Sequence, residues 1–374
     1  MTAQIPRAPM VSVVMAVKNG EERISQSIKS LLDQSFADFE LIIINDGSID
    51  RTLEIIHSFQ DPRIHVYSQI NRGVAIAANR GMALARGKYI ARQDHDDLSM
   101  PERLEKQVKF LEANSNIYLL GTAAEIWSKS GNSFRTHDHP VEPKILALEI
   151  LFDNPFVHSS IMFRRNLLKE VGYYSPSQKI TPLDDYDFIS RCSLKFKVAN
   201  LSERLVKYYE SSGSLTSNFR GEESAKDFDL KQKKSRIMAR NICSTLDIQK
   251  FDERIAFFAK LYSKTPFLKG GKFQFHEMQN ILLAIFEKIA NSSSLGNLLP
   301  LFQIKLDHLY YCWYTNPKVA TTLDSLKYES DKKLFHIRYI TKEWIFRIYV
   351  EARDSFMRRG SIVKKFLLKM VTKK

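Results

Sequence analysis

The sequence predicts an α/β fold in which a mostly parallel sheet carries helices on both faces, followed by a mainly helical region. Three observations support that class. Short β-branched runs alternate with stretches of helical periodicity, polar clusters follow those runs directly, and strand-like alternation stops near residue 220.

Val11–Val17 is the first apolar run, ended by Lys18-Asn19-Gly20 as a strand is ended by its turn. Ile24, Ile28, Leu31 and Leu32 then share one helical face. Leu41–Ile44 is a second strand, closed by Asn45-Asp46-Gly47-Ser48, and Asp50 is placed to cap a helix bearing Leu53, Ile56 and Phe59. A third strand at Ile64–Tyr67 and a small-residue helix from Val74 to Ala85, stopped by Gly87, lead to Tyr89-Ile90-Ala91. That run ends in Arg92-Gln93-Asp94-His95-Asp96-Asp97, and Leu104, Val108 and Leu111 form the face of the next helix.

Further strands are expected at Ile117–Leu120, Ala123–Trp127, Phe156–Phe163, Val198–Leu201 and Leu205–Tyr209, with residues 129–143 as loop. An apolar helix follows the second acidic cluster, Leu183-Asp184-Asp185-Tyr186-Asp187. The polar stretch Gly213–Lys234 divides the chain into residues 1–220 and 221–374. Beyond it, Ile281–Phe286 and Leu299–Tyr311 read as apolar helices on either side of the Ser-rich break Asn291–Gly296.

Composition narrows the class. The 374 residues are 44% hydrophobic and 26% charged, the balance of a folded soluble protein. Cys192, Cys243 and Cys312 are odd in number and far apart, which argues against a disulfide framework and fits a reducing compartment. There is no apolar core of signal-peptide type and no run approaching about 18 apolar residues. Export by that route and bilayer crossing are not expected, and a cytoplasmic location follows. The net charge of +14 is uneven: residues 1–220 hold 27 Lys+Arg against 26 Asp+Glu, the remainder 29 against 16. The second region therefore meets something anionic.

Three carboxylates within four residues, Asp94, Asp96 and Asp97, repel one another unless a cation or solvent intervenes. A divalent metal is one answer, since hard cations take carboxylate oxygens and leave positions for phosphate. A solvated turn capping the next helix is the other. Asn19, Asp46 and Asp94–Asp97 all follow strand ends, the edge where open α/β sheets bind ligands, and this favours a site.

These elements, in this order, resemble the inverting glycosyltransferases of family 2, of GT-A fold (Rossmann-like), over residues 10–217. The matching motifs are Val11–Gly20, Asn45–Asp50, the run Asn71, Gly73, Asn79, Gly81, Gly87, Tyr89 and Ile90, then Asp94–Asp97 with Pro101–Leu104, and Asp184–Asp187. The resemblance implies a UDP- or dTDP-linked sugar donor held by Val17, Asn19, Asp46 and Asp94, with Asp46 accepting from the base and Asp94 near the ribose. It implies Mn²⁺ or Mg²⁺ on Asp96 and Asp185 as the general base toward an acceptor hydroxyl. His158 also matches a family position and is expected to support the site; Asp97 is expected to serve the following helix. The family habit implies bacterial surface-polysaccharide assembly on a saccharide or lipid-linked saccharide.

Departures are Ala16, Lys18, Ala78 and the segment Tyr208-Tyr209-Glu210-Ser211, the last lacking a cation and an imidazole frequent there. The Gln-x-x-Arg-Trp element of processive synthases is absent, so transfer of one sugar or a few is expected. In the tail, Ile362, Val363, Phe366, Leu367, Met370 and Val371 form an apolar stripe beside five lysines, suited to the anionic face of a membrane or to packing on the chain's own domain. The other classes are a non-catalytic nucleotide-sugar-binding protein and a basic membrane- or nucleic-acid-binding protein; no nucleic-acid-binding module accompanies the charge.

Overall fold

Strand β1 (Val11–Val17) is buried at every residue because it lies inside the sheet and has helices on both faces. The structure, a computed structural model, describes residues 7–127, 133–177, 180–209, 225–250, 252–263, 275–290 and 295–314. The basic tail, residues 345–374, falls outside them. β1 pairs in parallel with β2 (Phe39–Asp46) and with β4 (Tyr89–Arg92), and β2 pairs with β3 (Ile64–Gln69). Helices α1 (Ile24–Leu32), α2 (Thr52–His57) and α3 (Val74–Leu84) make the crossovers.

Side chains alternate across these strands. Val11, Val13, Met15 and Val17 pack with Ile24, Ile28 and Leu31 of α1, and with Leu104, Val108 and Leu111 of α4 (Arg103–Ala113). Val14 and Ala16 face Ala77, Ala78 and Met82 of α3, in the same layer as α5 (Pro143–Phe152) and α7 (Asp184–Lys195). Each fully buried Ile or Leu contributes about 1.5–3 kcal/mol to this sandwich.

Beyond β4 the sheet becomes mixed. Its order is β3-β2-β1-β4-β8-β6-β9-β5, with β7 (Ser133–His137) on β6 (Ile117–Trp127). The three-residue β8 (Met162–Arg164) is antiparallel to β4 and β6, β9 (Lys197–Tyr209) is parallel to β6, and the short β5 (Leu98–Ser99) closes on β9.

The structure corrects several local expectations. The two strands expected at 117–127 are one, and so are the two at 198–209; the breaks seen in the pattern are register shifts where Ser202 and Glu203 bulge between Leu201 and Arg204. The expected strand Phe156–Phe163 is interrupted by a 3₁₀ turn, His158–Ser160. There the Ser160 hydroxyl bonds to Val157 O and to both backbone groups of Thr122, replacing the ladder. Residues 133–137, expected as loop, form β7, and the apolar helix α5 was not expected. Arg51, not Asp50, precedes α2, although Asp50 Oδ1 does accept from Thr52 N at 3.1 Å. α3 ends at Leu84; Gly87 is needed instead because a Cβ there would lie 2.6 Å from Ser12 N.

α8 (Ala225–Thr245) occupies part of the stretch expected to be loop. It packs on α5 and α7, and the compact unit containing the sheet runs to Asp252. Its anchor is electrostatic. Asp187 of α7, its side chain 3% exposed, accepts from Arg191 Nε at 2.9 Å and from Arg240 Nη1, and Arg240 Nη2 donates to Ser190 Oγ at 2.7 Å. The second unit contains α9 (Glu253–Tyr262), α10 (Phe275–Ala290) and α11 (Leu295–Tyr314), packed on one another. No helix among the described residues is long and apolar enough to cross a membrane.

Without Arg240 the buried Asp187 carboxylate keeps Arg191 but loses one of its two cations. Arg240→Ala is therefore expected to cost about 1–3 kcal/mol, discounted because the Arg240 side chain is 35% exposed. Thermal unfolding reads this as a loss of several degrees, and an unchanged midpoint would contradict it.

Candidate active site

The parallel register of β1, β2 and β4 brings their C-terminal ends to one edge, so the loops at Asn19, Asp46 and Asp94 meet there as expected. Because β8 runs antiparallel to β4, the turn preceding it, His158–Ser160, reaches the same edge.

Asn19 adopts φ 52°, a left-handed conformation that asparagine tolerates. It ties β1 to the next loop: its N–H donates to Ser48 Oγ, and its Oδ1 accepts from Ile49 N, both at 3.0 Å. The Val17 side chain is buried at 2% exposure within the α1-side core, so at this edge it offers main chain only. Asp46 is 3% exposed and accepts from Gln69 Nε2, Arg72 N and Gly73 N at 2.8–2.9 Å. Two of these bonds fall on Oδ1 and one on Oδ2, so a carboxylate with about four acceptor sites retains one for a further donor.

The acidic loop divides. Asp94 is held by protein: Arg92 Nη2 donates to Oδ1 at 2.9 Å, Ser159 Oγ donates to Oδ2 at 2.8 Å, and His158 Nδ1 lies 3.5 Å away. Burial pushes its pKa up, but His158, Arg92 and Ser159 together pull it well below the ordinary value. For Asp96, burial and the charge of Asp94 raise the pKa against the opposing charges of His95 and Arg23. Asp97 is 1% exposed and raised further, by burial and both neighbouring carboxylates. Its Oδ1 accepts from Tyr209 N at 3.1 Å, at the end of β9, and its charge supports that of Arg103, the first residue of α4. Asp97 Oδ2 has no hydrogen-bond partner among the described residues.

Two fully buried arginines, both 0% exposed, hold this loop from beneath. Arg92 also donates to Val14 O at 2.6 Å. Arg103 donates to Gln93 Oε1, Ser99 Oγ and Arg92 O at 2.7–2.9 Å, and burial lowers its pKa to about 9. Gln93 completes the brace through Asp97 O at 2.7 Å. His95 packs over Gly20, where a Cβ would stand 2.5 Å from its Cδ2 and 2.7 Å from Val17 Cγ2.

The second acidic cluster opens α7 at the same edge, where Asp185 lies within electrostatic reach of His158 and Asp94. Asp185 Oδ2 accepts from Asn154 Nδ2 at 3.0 Å and Oδ1 from Tyr186 N at 2.6 Å. Burial raises its pKa against the opposing charge of His158 and those two bonds, and the neighbouring Tyr186 and Phe188 are 1% and 0% exposed. Asp184 is raised by burial and by Asp185. His158 Nε2 pairs with Tyr174 Oη at 2.9 Å, so this imidazole lies within electrostatic reach of both Asp94 and Asp185.

Arg92, Arg103, Ser159, Asn154 and Tyr174 had no role in the sequence reading. Only Arg92 and Arg103 left a signal, as cations beside an acidic loop at positions that should be apolar.

Known proteins resemble this chain in sequence and in fold. Residues 12–172 match the family model described as glycosyl transferase family 2. EpsE of Bacillus subtilis, assigned as a glycosyltransferase, is 36% identical over 213 residues, which are 55% of this chain and 75% of that protein. The O-antigen biosynthesis glycosyltransferase WbnJ of Escherichia coli is 31% identical over 218 residues, 54% of this chain and 85% of that protein. The S. aureus TarS structure in complex with UDP-GlcNAc superposes with TM-score 0.52 at 18% identity, covering 81% of this chain and 88% of that one, a likeness of fold.

Gly20→Ala is expected to cost about 1–3 kcal/mol by overpacking. Adding His95→Ala should recover part of that loss in chemical denaturation, whereas a single variant as stable as the wild type would remove His95 from this contact.

Proposed function

Because the chain belongs to glycosyl transferase family 2, we propose that it is an inverting, metal-dependent glycosyltransferase taking its sugar from a nucleoside-diphosphate donor. One observation carries the reading: Asp185, a half-buried carboxylate of raised pKa, stands at the sheet edge that also holds the Asp94–Asp97 loop. A carboxylate acts as a general base most effectively when its affinity for protons is raised toward the working pH.

In this mechanism Asp185 removes the acceptor hydroxyl proton as that oxygen attacks the anomeric carbon. The bond from that carbon to the diphosphate breaks, and the nucleoside diphosphate leaves with the electron pair. A single displacement inverts the configuration. Asn154 orients the Asp185 carboxylate through Oδ2. Asp94, held ionised by His158, Arg92 and Ser159, and Asn19 and Asp46 bind the nucleoside, as does main chain at Val17.

Asp96 would hold Mn²⁺ or Mg²⁺. No group of three His, Cys, Asp or Glu side chains that could hold a metal occurs among the described residues, and such ions are commonly held by one or two carboxylates together with substrate phosphates. A carboxylate whose negative charge is opposed by burial and a neighbouring acid fits that donor set. When bound, the ion supplies Lewis-acid charge to the leaving diphosphate.

TarS was solved with UDP-GlcNAc, which supports a uridine- or thymidine-linked donor here. The O-antigen relative supports a role in surface-polysaccharide assembly; the acceptor proposed for that role is a saccharide or lipid-linked saccharide met at the cytoplasmic face of a membrane.

A panel of nucleotide sugars assayed with Mn²⁺ identifies the donor. With it, Asp185→Asn is expected to lower kcat by about 10²–10⁴-fold while leaving donor affinity within about threefold. The base must be ionised, so wild-type activity should fall as pH drops through a pKa above the ordinary 3.8, a limb missing from the variant's residual activity. Wild-type turnover in Asp185→Asn would exclude it as the base.

A further inference from the structure

At the other end of β4, away from the acidic loop, Lys88, Arg164, Arg165, Asn166 and Lys169 line a pocket of ≈ 330 Å³. The register Tyr89↔Arg164 fixes this position, because β4 leaves the pocket at Tyr89 and reaches the acidic loop after Arg92. Residues 1–220 carry nearly balanced charge, so four cations around one concavity are a local concentration.

The cations are held in place by different means. Arg164 forms the floor: its guanidinium donates to Ile117 O, Leu111 O, Asn114 O and Tyr89 Oη at 2.6–3.2 Å. Arg165 is fixed at its root, with backbone N on Lys88 O at 3.0 Å and Nε on Gly87 O at 2.8 Å. That leaves both of its Nη groups without a partner among the described residues, and Lys169 and Asn166 are equally unengaged there. Lys88 pairs with Glu112, the one carboxylate bonded to this group among the described residues.

A guanidinium anchored through Nε presents two parallel N–H donors, the geometry that grips a phosphoryl or carboxylate oxygen pair. Two lysines and an amide beside it favour the group with more acceptor oxygens and more charge. The volume lies at the low end for ligand sites, enough for a phosphate or a phosphodiester headgroup but not for a sugar chain.

We propose that this pocket is a second anion site, distinct from the donor site, that binds a phosphoryl group, either free or on a lipid headgroup. The first source would make it a site for a small phosphorylated effector. The second would fasten this end of the sheet to an anionic surface, independently of the basic tail.

The test uses the full chain without divalent metal at constant ionic strength set with KCl. Amine labelling of Lys88 and Lys169 is followed by mass spectrometry, with Lys29 as the control. The probes are inorganic phosphate, phosphatidylglycerol vesicles and phosphatidylcholine vesicles. Labelling of Lys88 and Lys169, but not Lys29, is expected to slow by about threefold or more at ligand concentrations a few times the dissociation constant. Protection by phosphate assigns a soluble ligand, and protection by phosphatidylglycerol alone assigns the headgroup. Arg165→Ala, at an exposed position, should abolish protection, and Lys169→Gln should weaken it at Lys88. Protection by neither probe, protection equal with phosphatidylcholine, or protection that survives in Arg165→Ala would overturn the proposal.

Discussion

Arg92 and Arg103 are buried cations beneath a loop of three carboxylates, and the geometry of the site rests on that pairing. A buried charge without a partner costs several kcal/mol, so neither arginine is tolerable without the oxygens it meets. Arg92 joins the carbonyl of Val14 in β1 to the carboxylate of Asp94. Arg103 joins Gln93, Ser99 and the carbonyl of Arg92. The loop is thereby fixed to the sheet and to the start of α4 before any ligand arrives. This is preorganisation in its simplest form, with reorganisation avoided at the moment of reaction.

The same brace separates the acids chemically. Asp94 is driven toward permanent ionisation, while Asp96, Asp97, Asp184 and Asp185 are driven toward binding protons. Carboxylates whose environments diverge can take different roles on one fold. His158 links the two groups, with Tyr174 fixing one ring nitrogen and Asp94 beside the other. α8 extends the arrangement, because Arg240 and Arg191 clamp Asp187 two residues beyond Asp185 and so steady the helix that presents it.

The parallel half of the fold was legible because strands covered on both faces read as unbroken apolar runs, and the loops at their ends carry the polar residues. The acidic clusters were legible for the same reason. Other elements were not. Every side of α5, Pro-Lys-Ile-Leu-Ala-Leu-Glu-Ile-Leu-Phe, is largely apolar, so it shows little periodicity to find. The turn at His158–Ser160 looks like strand because its distinguishing feature is where two serine hydroxyls bond, and those partners lie far away in sequence. Asn154 meets Asp185 across 31 residues, and Asp97 meets Tyr209 across 112, distances at which one sequence carries no pairing signal. His95 likewise packs over Gly20, a residue far from it in sequence.

In the proposed mechanism the acidic loop divides, with Asp94 held by the protein and Asp96 left for a cation that the diphosphate would complete. Anomalous scattering from crystals of the protein grown with Mn²⁺ and its nucleoside diphosphate tests it most directly. The expected result is a manganese peak bonded to Asp96 and to diphosphate oxygens, with the Arg92–Asp94–Ser159 bonds intact. A peak held by Asp94 in place of Arg92, or a bound nucleotide with no metal at Asp96, would contradict the account.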